Sequence, residues 1–417
     1  MPVRLDSIPP LAVRPRSPRP WVWLGMLVIA MMAGFLVTLA FADDPLRQDT
    51  QRFWRQALGL PFSLWSVSIA LRCLVHLGVV SAADGWDRAR EEDWRARLRR
   101  GRRSQQILAV SLHTALRGPA DTSGREQHQA LLGDQSALKT QALRDLPEQA
   151  CRHSRLSLDP CTQVGLLDHE TLLEQVYRMV LADLAEAIRA LPAEQPVALL
   201  LDIDSPVAPQ RTFSLWLEVW TEQGLGQRLT PFSHRGLSAI DLWLDTCSQD
   251  PSLLLVVSAR IAPSPPDNTA EVAVGLLLGN RRTRSPLHPL AYLHRPEQER
   301  GTTADSLRRS VLQALEWVPM DADALGDAWL TGIGQSRQAD VVRAFLELSA
   351  PLQLGQGLHD LQVSLGACGS AAPWVAIAAS AESARTRERP QLIVSGDAVE
   401  AGLWCAVVTT VAMLESE

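Results

Sequence analysis

From residue 105 onward the chain alternates short apolar runs with amphipathic segments. Val197–Ile203 is apolar but for Asp202, the pattern of a strand buried on both faces. Before it, Thr171–Ala190 sets apolar residues at 172, 173, 176, 180, 181, 184 and 188, one face of a helix that Pro192 and Pro196 stop. Ile107–Leu112 predicts a first strand. Gly118–Ser154 is polar and poorly patterned and predicts loop with short helices. Phe213–Trp220 and Gly236–Thr246 predict helices, and Leu253–Ala259 a strand. A second series opens with strands at Glu271–Leu278 and Pro289–Leu293, then a helix over Ser306–Trp317 with Asp305 as N-cap. Ala328–Ile333 predicts strand into loop and Arg337–Leu348 a helix. Gln362–Leu365, Ala371–Arg385, Gln391–Val394 and Leu403–Val411 predict strand, helix, strand and strand. Such alternation predicts parallel α/β sheets in two halves, 105–265 and 266–417.

The N-terminal part has a different pattern. Trp21–Ala42 carries no charge and is long enough to span a bilayer. Arg14, Arg16 and Arg19 precede it and Asp43 and Asp44 follow, which sets the tail 1–20 in the cytoplasm. The run exceeds a signal peptide's apolar core and reads as an anchor; the Ala-Phe-Ala ending at Ala42 keeps cleavage there as the alternative. Leu58–Val80 is a second apolar run, interrupted by Arg72 and His76. An arginine-rich stretch from Arg88 to Arg103 follows it. A charge inside the bilayer costs about 2.5–3.5 kcal/mol on insertion scales, which so apolar a run offsets. Basic flanks at both ends predict a helical hairpin over 21–83, on a bacterial inner membrane, with the soluble part cytoplasmic. The other reading is one span followed by an amphipathic helix. Residues 84–104 read as a basic juxtamembrane linker or helix suited to anionic head groups.

Composition narrows the function classes. The 417 residues carry a net charge of −6, which argues against a nucleic-acid protein. Six cysteines without close pairing do not form a disulfide framework. Cys151-Arg152-His153 with Cys161 brings together metal-ligand residue types, but at a spacing that matches no zinc pattern. Asp202-Ile203-Asp204 at a strand end reads as a metal-binding Asp-x-Asp or as turn residues. Arg281-Arg282-x-Arg284 reads as a solvated loop or a contact for an acidic partner. No cofactor is expected.

Three stretches carry candidate chemistry. Ser233-His234-Arg235-Gly236-Leu237-Ser238-Ala239-Ile240 resembles the nucleophile elbow Cys-Ser-Ser-Gly-Leu-x-Ala-Ile of β-ketoacyl synthases. Thr331-Gly332-Ile333-Gly334-Gln335 resembles their His-Gly-Thr-Gly-Thr. Gly366-Ala367-Cys368-Gly369-Ser370-Ala371-Ala372-Pro373 resembles their Gly-His-x-x-Gly-Ala-Ala-Gly. The order and the strand–loop–helix contexts match across residues 105–417. The resemblance implies an α/β chain with the duplicated, five-layered (αβαβα) thiolase-like fold behind a membrane anchor. It also implies that Ser233, Thr331 and Ala367 stand where the family has a thiolate nucleophile and two histidines.

A condensing site needs that thiolate for the acyl group, and imidazoles to polarise the incoming carbonyl. Alanine does neither, threonine donates but is no base near neutral pH, and serine without a base is a poor nucleophile. The expectation is a non-catalytic adaptor with a protein partner. The chain is also similar, in its degenerate motifs and anchor, to thiolase-like accessory proteins of type VI secretion, which implies a secretion effector as that partner. The alternative is an acyl-transfer or lipid enzyme using Ser233 with His234. The resemblance further implies a homodimer through the sheet edge of the first half. The stretch between Leu112 and Val197 is shorter than in the family, so tunnel or dimer elements there are altered.

Overall fold

The computed structural model describes residues 3–5, 7–41, 49–144, 148–158, 168–248, 250–283, 286–348, 352–354, 357–396 and 402–410. They form two compact units, Arg4–Arg97 and Leu98–Glu417.

The first unit is built on two helices, α1 (Pro20–Phe41) and α2 (Thr50–Gly101), the latter continuing into the second unit. Both are long and apolar enough to cross a membrane. No residue of α1 is buried, and Trp21, Ile29, Leu36, Leu64, Val67 and Leu74 are exposed. A π-helical turn at Arg55–Gly59 interrupts α2. The two helices pack together through Trp65, whose Nε1–H donates to the Trp23 carbonyl at 2.9 Å, and through Phe35 stacked on Trp54. The N-terminal tail lies along the far part of α2. Arg14 pairs with Asp84 at 3.3 Å, the Asp87 carboxylate accepts the Ala12 N–H at 2.9 Å, and Arg97 donates to the Arg4 carbonyl at 2.7 Å. Residues 84–101 are continuous helix, stitched by Arg95–Glu91 and Arg97–Asp93 pairs one turn apart.

In the second unit one 12-stranded sheet follows the order β12-β13-β11-β14-β15-β9-β1-β8-β6-β4-β5, with β10 beside β15. The first half of this unit comprises β1 (Ser104–His113), α3 (Arg125–Leu132), β2 (Lys139–Ala142), β3 (Ala150–Ser154), α4 (His169–Arg189), β4 (Val197–Asp204), α5 (Pro209–Glu222), β5 (Leu229–Pro231), α6 (Gly236–Thr246), β6 (Leu253–Arg260), β7 (Thr269–Ala270) and β8 (Val272–Gly279). The second comprises β9 (Ala291–His294), β10 (Glu297–Gln298), α7 (Ala304–Glu316), β11 (Asp327–Thr331), α8 (Gln338–Glu347), β12 (Gln353–Leu354), β13 (Gly357–Asp360), α9 (Leu361–Leu365), α10 (Ala372–Arg387), β14 (Gln391–Gly396) and β15 (Leu403–Thr409).

The halves repeat one topology. In the first, β5, β4 and β6 run parallel, β8 is antiparallel to β6, and β1 closes the row. In the second, β13, β11 and β14 run parallel, β15 is antiparallel to β14, and β9 closes the row. The rows meet where β1 pairs with β9. Three apolar cores define five layers. The inner faces of both rows enclose α6 and α10. The outer face of the first row carries α4 and α5, and that of the second carries α7 and α8. The helix α10 is buried on nearly all sides, which explains its run of small residues, Ala376, Ala378, Ala379, Ser380 and Ala381.

Several elements differ from the sequence reading. β8 belongs to the first half, because it pairs with β6 and β1. Gln362–Leu365 is helical: the Asp360 carboxylate accepts the N–H groups of Gln362 and Val363 and opens α9, leaving Gly357–Asp360 as the strand. Thr303, not Asp305, caps α7. The polar stretch before Ser154 holds α3 and the β2–β3 hairpin, which joins β7 in a separate small sheet. Val411 lies outside the described residues.

Candidate functional site

The elbow leads from β5 through Phe232–Arg235 into α6. The helix starts at Gly236, whose φ of +54° is a left-handed conformation that glycine adopts without strain. Arg235 is the cap residue. Asp202, near the end of β4 and facing the central layer, accepts the Trp374 Nε1–H at 3.1 Å and the Gly236 N–H at 3.5 Å. Burial raises the Asp202 pKa, and the hydrogen bonds from Trp374 and Gly236 oppose that shift.

Thr331 ends β11, buried, and pairs in register with Ser395 of β14. The next residues touch backbone to backbone: a Cβ on Gly332 would fall 2.6 Å from the Gly396 carbonyl oxygen. Ala367 is tied to the first half by its main chain. Its N–H donates to the Asn268 carbonyl at 2.9 Å, and its carbonyl accepts from Ala270 N–H at 2.9 Å and Arg260 Nη1 at 2.7 Å. Beside it, burial pushes the Cys368 thiol up to about 12, so this cysteine stays protonated and inert.

Two of the three motif stretches converge. Arg235 and Gly236 with Gly369 and Ser370 line one cavity between the N-termini of α6 and α10, closed by Ser395 and Gly396 of β14; the third stretch reaches it only through Gly332, packed on Gly396. It measures about 30 Å³, room for about one or two waters. Among the described residues no cysteine or histidine lines it. Ser233 lies elsewhere. It is exposed and opens on a pocket of about 490 Å³ between the outer face of β4 and the start of α5. The His234 ring lies tilted against Phe232, ring centroids 4.7 Å apart, and its backbone N–H donates to the Phe232 carbonyl.

The remaining sequence candidates are dispersed. Asp204 pairs with Arg260 at 3.0 Å while Asp202 faces Trp374, so the two carboxylates serve separate partners. Cys151 Sγ lies 3.2 Å from His153 Nδ1, and Cys161 lies outside the described residues. Among the described residues no three His, Cys, Asp or Glu side chains gather as a metal site. Arg281 and Arg282 are exposed in the turn after β8, whose Asn280 carbonyl oxygen Oδ1 accepts the Arg282 N–H at 2.8 Å; Arg284 lies outside the described residues.

One polar cluster escaped the sequence reading. Arg295, fully buried, reaches Asp241 at 2.5 Å and Asp245 at 2.6 Å, and Arg100 also bonds Asp245. Burial acts to raise the Asp245 pKa, but the hydrogen bonds from Arg100 and Arg295 win and hold it well below the usual carboxylate range. Nearby, burial pushes Glu297 up to about 7. The signal available was the i, i+4 spacing of Asp241 and Asp245 on a helix otherwise apolar on that side.

No protein-family description and no curated protein matches the sequence. Solved structures match it by shape. The chain is similar to the ishigamide ketosynthase/chain length factor, at 15% identity and a TM-score of 0.53, over 74% of this chain and 99% of that one. It is also similar to a chain of a type II PKS acyl-carrier protein in complex with its ketosynthase, at 11% identity and a TM-score of 0.50, over 74% and 99%. At such identities the likeness is one of fold. With the repeated strand order and the five layers, it defines a thiolase-like α/β fold.

Proposed function

We propose that this protein is a non-catalytic, membrane-anchored adaptor on a thiolase-like scaffold. The observation that carries the reading is the cavity at the junction of α6 and α10: about 30 Å³, with the buried Asp202 in its wall and, among the described residues, no cysteine or histidine. Ligand pockets run to roughly 300–1,000 Å³, so this one does not accommodate an acyl chain or a thioester arm. The reacting groups of a condensing site are a thiolate and imidazoles; here Thr331 sits inside a strand and Ala367 serves through its backbone. Binding needs only shape and surface and survives that loss.

The exposed apolar faces of α1 and α2 support a bilayer hairpin over 21–83. The tail's contacts with residues 84–97 support both flanks lying on one side, as a hairpin requires, and their arginines favour the cytoplasm. Resemblance to secretion-associated thiolase-like proteins favours a secretion effector as partner. The full chain, solubilised with native membranes and captured by an affinity tag, should retain a protein partner in stoichiometric amount, equally for Ser233→Ala.

The second reading, acyl transfer, is favoured by the 490 Å³ pocket onto which Ser233 opens. Covalent labelling of Ser233 by a serine-directed or acyl-thioester probe, with no partner retained, would decide for it.

A further inference from the structure

β4 runs from Val197 to Asp204, yet its edge partner β5 pairs only with Val197–Leu199. The chain then turns away towards α6. Along a strand, alternate residues direct both backbone groups to the same edge. Val197 N–H donates to the Arg228 carbonyl at 3.2 Å and the Leu199 carbonyl accepts the Phe232 N–H at 2.8 Å, so this edge takes the odd-numbered residues. Leu201 and Ile203 therefore present their N–H and C=O groups beyond the end of β5. Among the described residues no backbone hydrogen bond closes them there.

That open edge borders the 490 Å³ pocket. Leu201, Ile203, Phe213 and Phe232 supply apolar wall, and Ser233, His234 and Arg235 supply a polar rim. Among the described residues no carboxylate lines it. Ser205 Oγ, also in the wall, is sealed from solvent and lacks a hydrogen-bond partner. β5 itself is short and ends in an exposed proline, which protects that strand from pairing and leaves the β4 segment as the receptive one.

We infer that this edge docks an extended segment of a partner protein carrying Asp or Glu beside an aliphatic or aromatic residue. The segment pairs its backbone with Leu201 and Ile203, lays its apolar side chain in the pocket, and sets its carboxylate against Arg235 and His234. A second copy of this chain is the competing occupant. A twofold contact must be self-complementary, and a cationic rim without carboxylates is not. The inference rests on the adaptor reading and names its docking site.

The test is selection of random octapeptides on the immobilised full chain in detergent. Selected peptides should be enriched in Asp or Glu adjacent to apolar residues. On Arg235→Glu the preference should reverse towards Lys and Arg. Arg235 also borders the small central cavity, so His234→Glu, at an exposed position, repeats the test independently, with thermal melts to confirm folding. N-methylation of the selected peptide's backbone should weaken binding at least tenfold. Selection of no peptide, absence of acidic enrichment, or enrichment unchanged by both substitutions overturns the proposal. So does a dimer in light scattering that Arg235→Glu dissolves, since the edge is then a contact between copies. Partner capture that persists in both variants sinks the docking site alone; loss of capture by the unaltered protein sinks the adaptor reading.

Discussion

Trp374→Phe tests the structural role assigned to the central cavity. Phenylalanine keeps most of the buried ring packing and removes the Nε1–H that Asp202 accepts at 3.1 Å, leaving the carboxylate only the Gly236 N–H at 3.5 Å. A lost hydrogen bond to an ionised group costs about 1.5–3 kcal/mol, and the smaller ring adds about 1 kcal/mol of cavity. The pH dependence has a definite sign. Burial raises the folded pKa of Asp202 above its unfolded value, so the native state takes up the proton first and this group's penalty is relieved as pH falls through the folded pKa. Once Asp202 is neutral, the missing bond is worth only about 0.5–1.5 kcal/mol. The gap between unaltered protein and variant should therefore narrow on acidification. Urea unfolding of the full chain in detergent, followed by near-ultraviolet circular dichroism across this pH range, reads it directly. Asp202→Asn added to Trp374→Phe should recover much of the loss at neutral pH. A gap that is independent of pH, or smaller than about 0.5 kcal/mol throughout, refutes the claim that Trp374 stabilises a desolvated carboxylate.

Further outcomes follow from packing, charge and topology. Ala371→Leu, at a fully buried site beside the cavity, should cost about 1–3 kcal/mol by overpacking, read as a lowered urea midpoint. Arg295→Met removes the buried guanidinium that reaches Asp241 and Asp245 and should cost about 3–5 kcal/mol; a melt unchanged from the parent would show that their other neighbours, Arg100 among them, suffice. A fluorescent cytoplasmic reporter joined after Glu417 should be active, whereas an active periplasmic phosphatase there would replace the hairpin with a single span.

The fold was legible wherever burial was complete. Val197–Ile203 and Leu253–Ala259 are apolar but for Asp202 and Ser258 because both faces are covered, and they became β4 and β6. The second half was harder. Gln362–Leu365 reads as a strand, yet Asp360 just before it offers a cap to two N–H groups and opens α9, leaving Gly357–Asp360 as β13. That event depends on one side chain, which periodicity does not weigh. β8 was recognised as a strand but placed in the wrong half, since partner choice is set by pairing across the sheet and leaves no local mark. At the site, the motifs at 233–240 and 366–373 meet at one cavity, and Thr331–Gln335 touches it through Gly332. Ser233 opens on another pocket, because α6 starts only at Gly236. Arg295 was invisible for a simple reason: an arginine in His-Arg-Pro reads as surface until the carboxylates of α6 are seen facing it.

The central claim is that this scaffold binds without condensing. Decarboxylation of a malonyl thioester by the purified full chain, beside Ser233→Ala prepared identically, addresses it most directly. No turnover above buffer is expected from either protein, with both folded by thermal melt. Sustained decarboxylation by the unaltered chain that disappears in Ser233→Ala would contradict the adaptor reading and make Ser233 a working nucleophile.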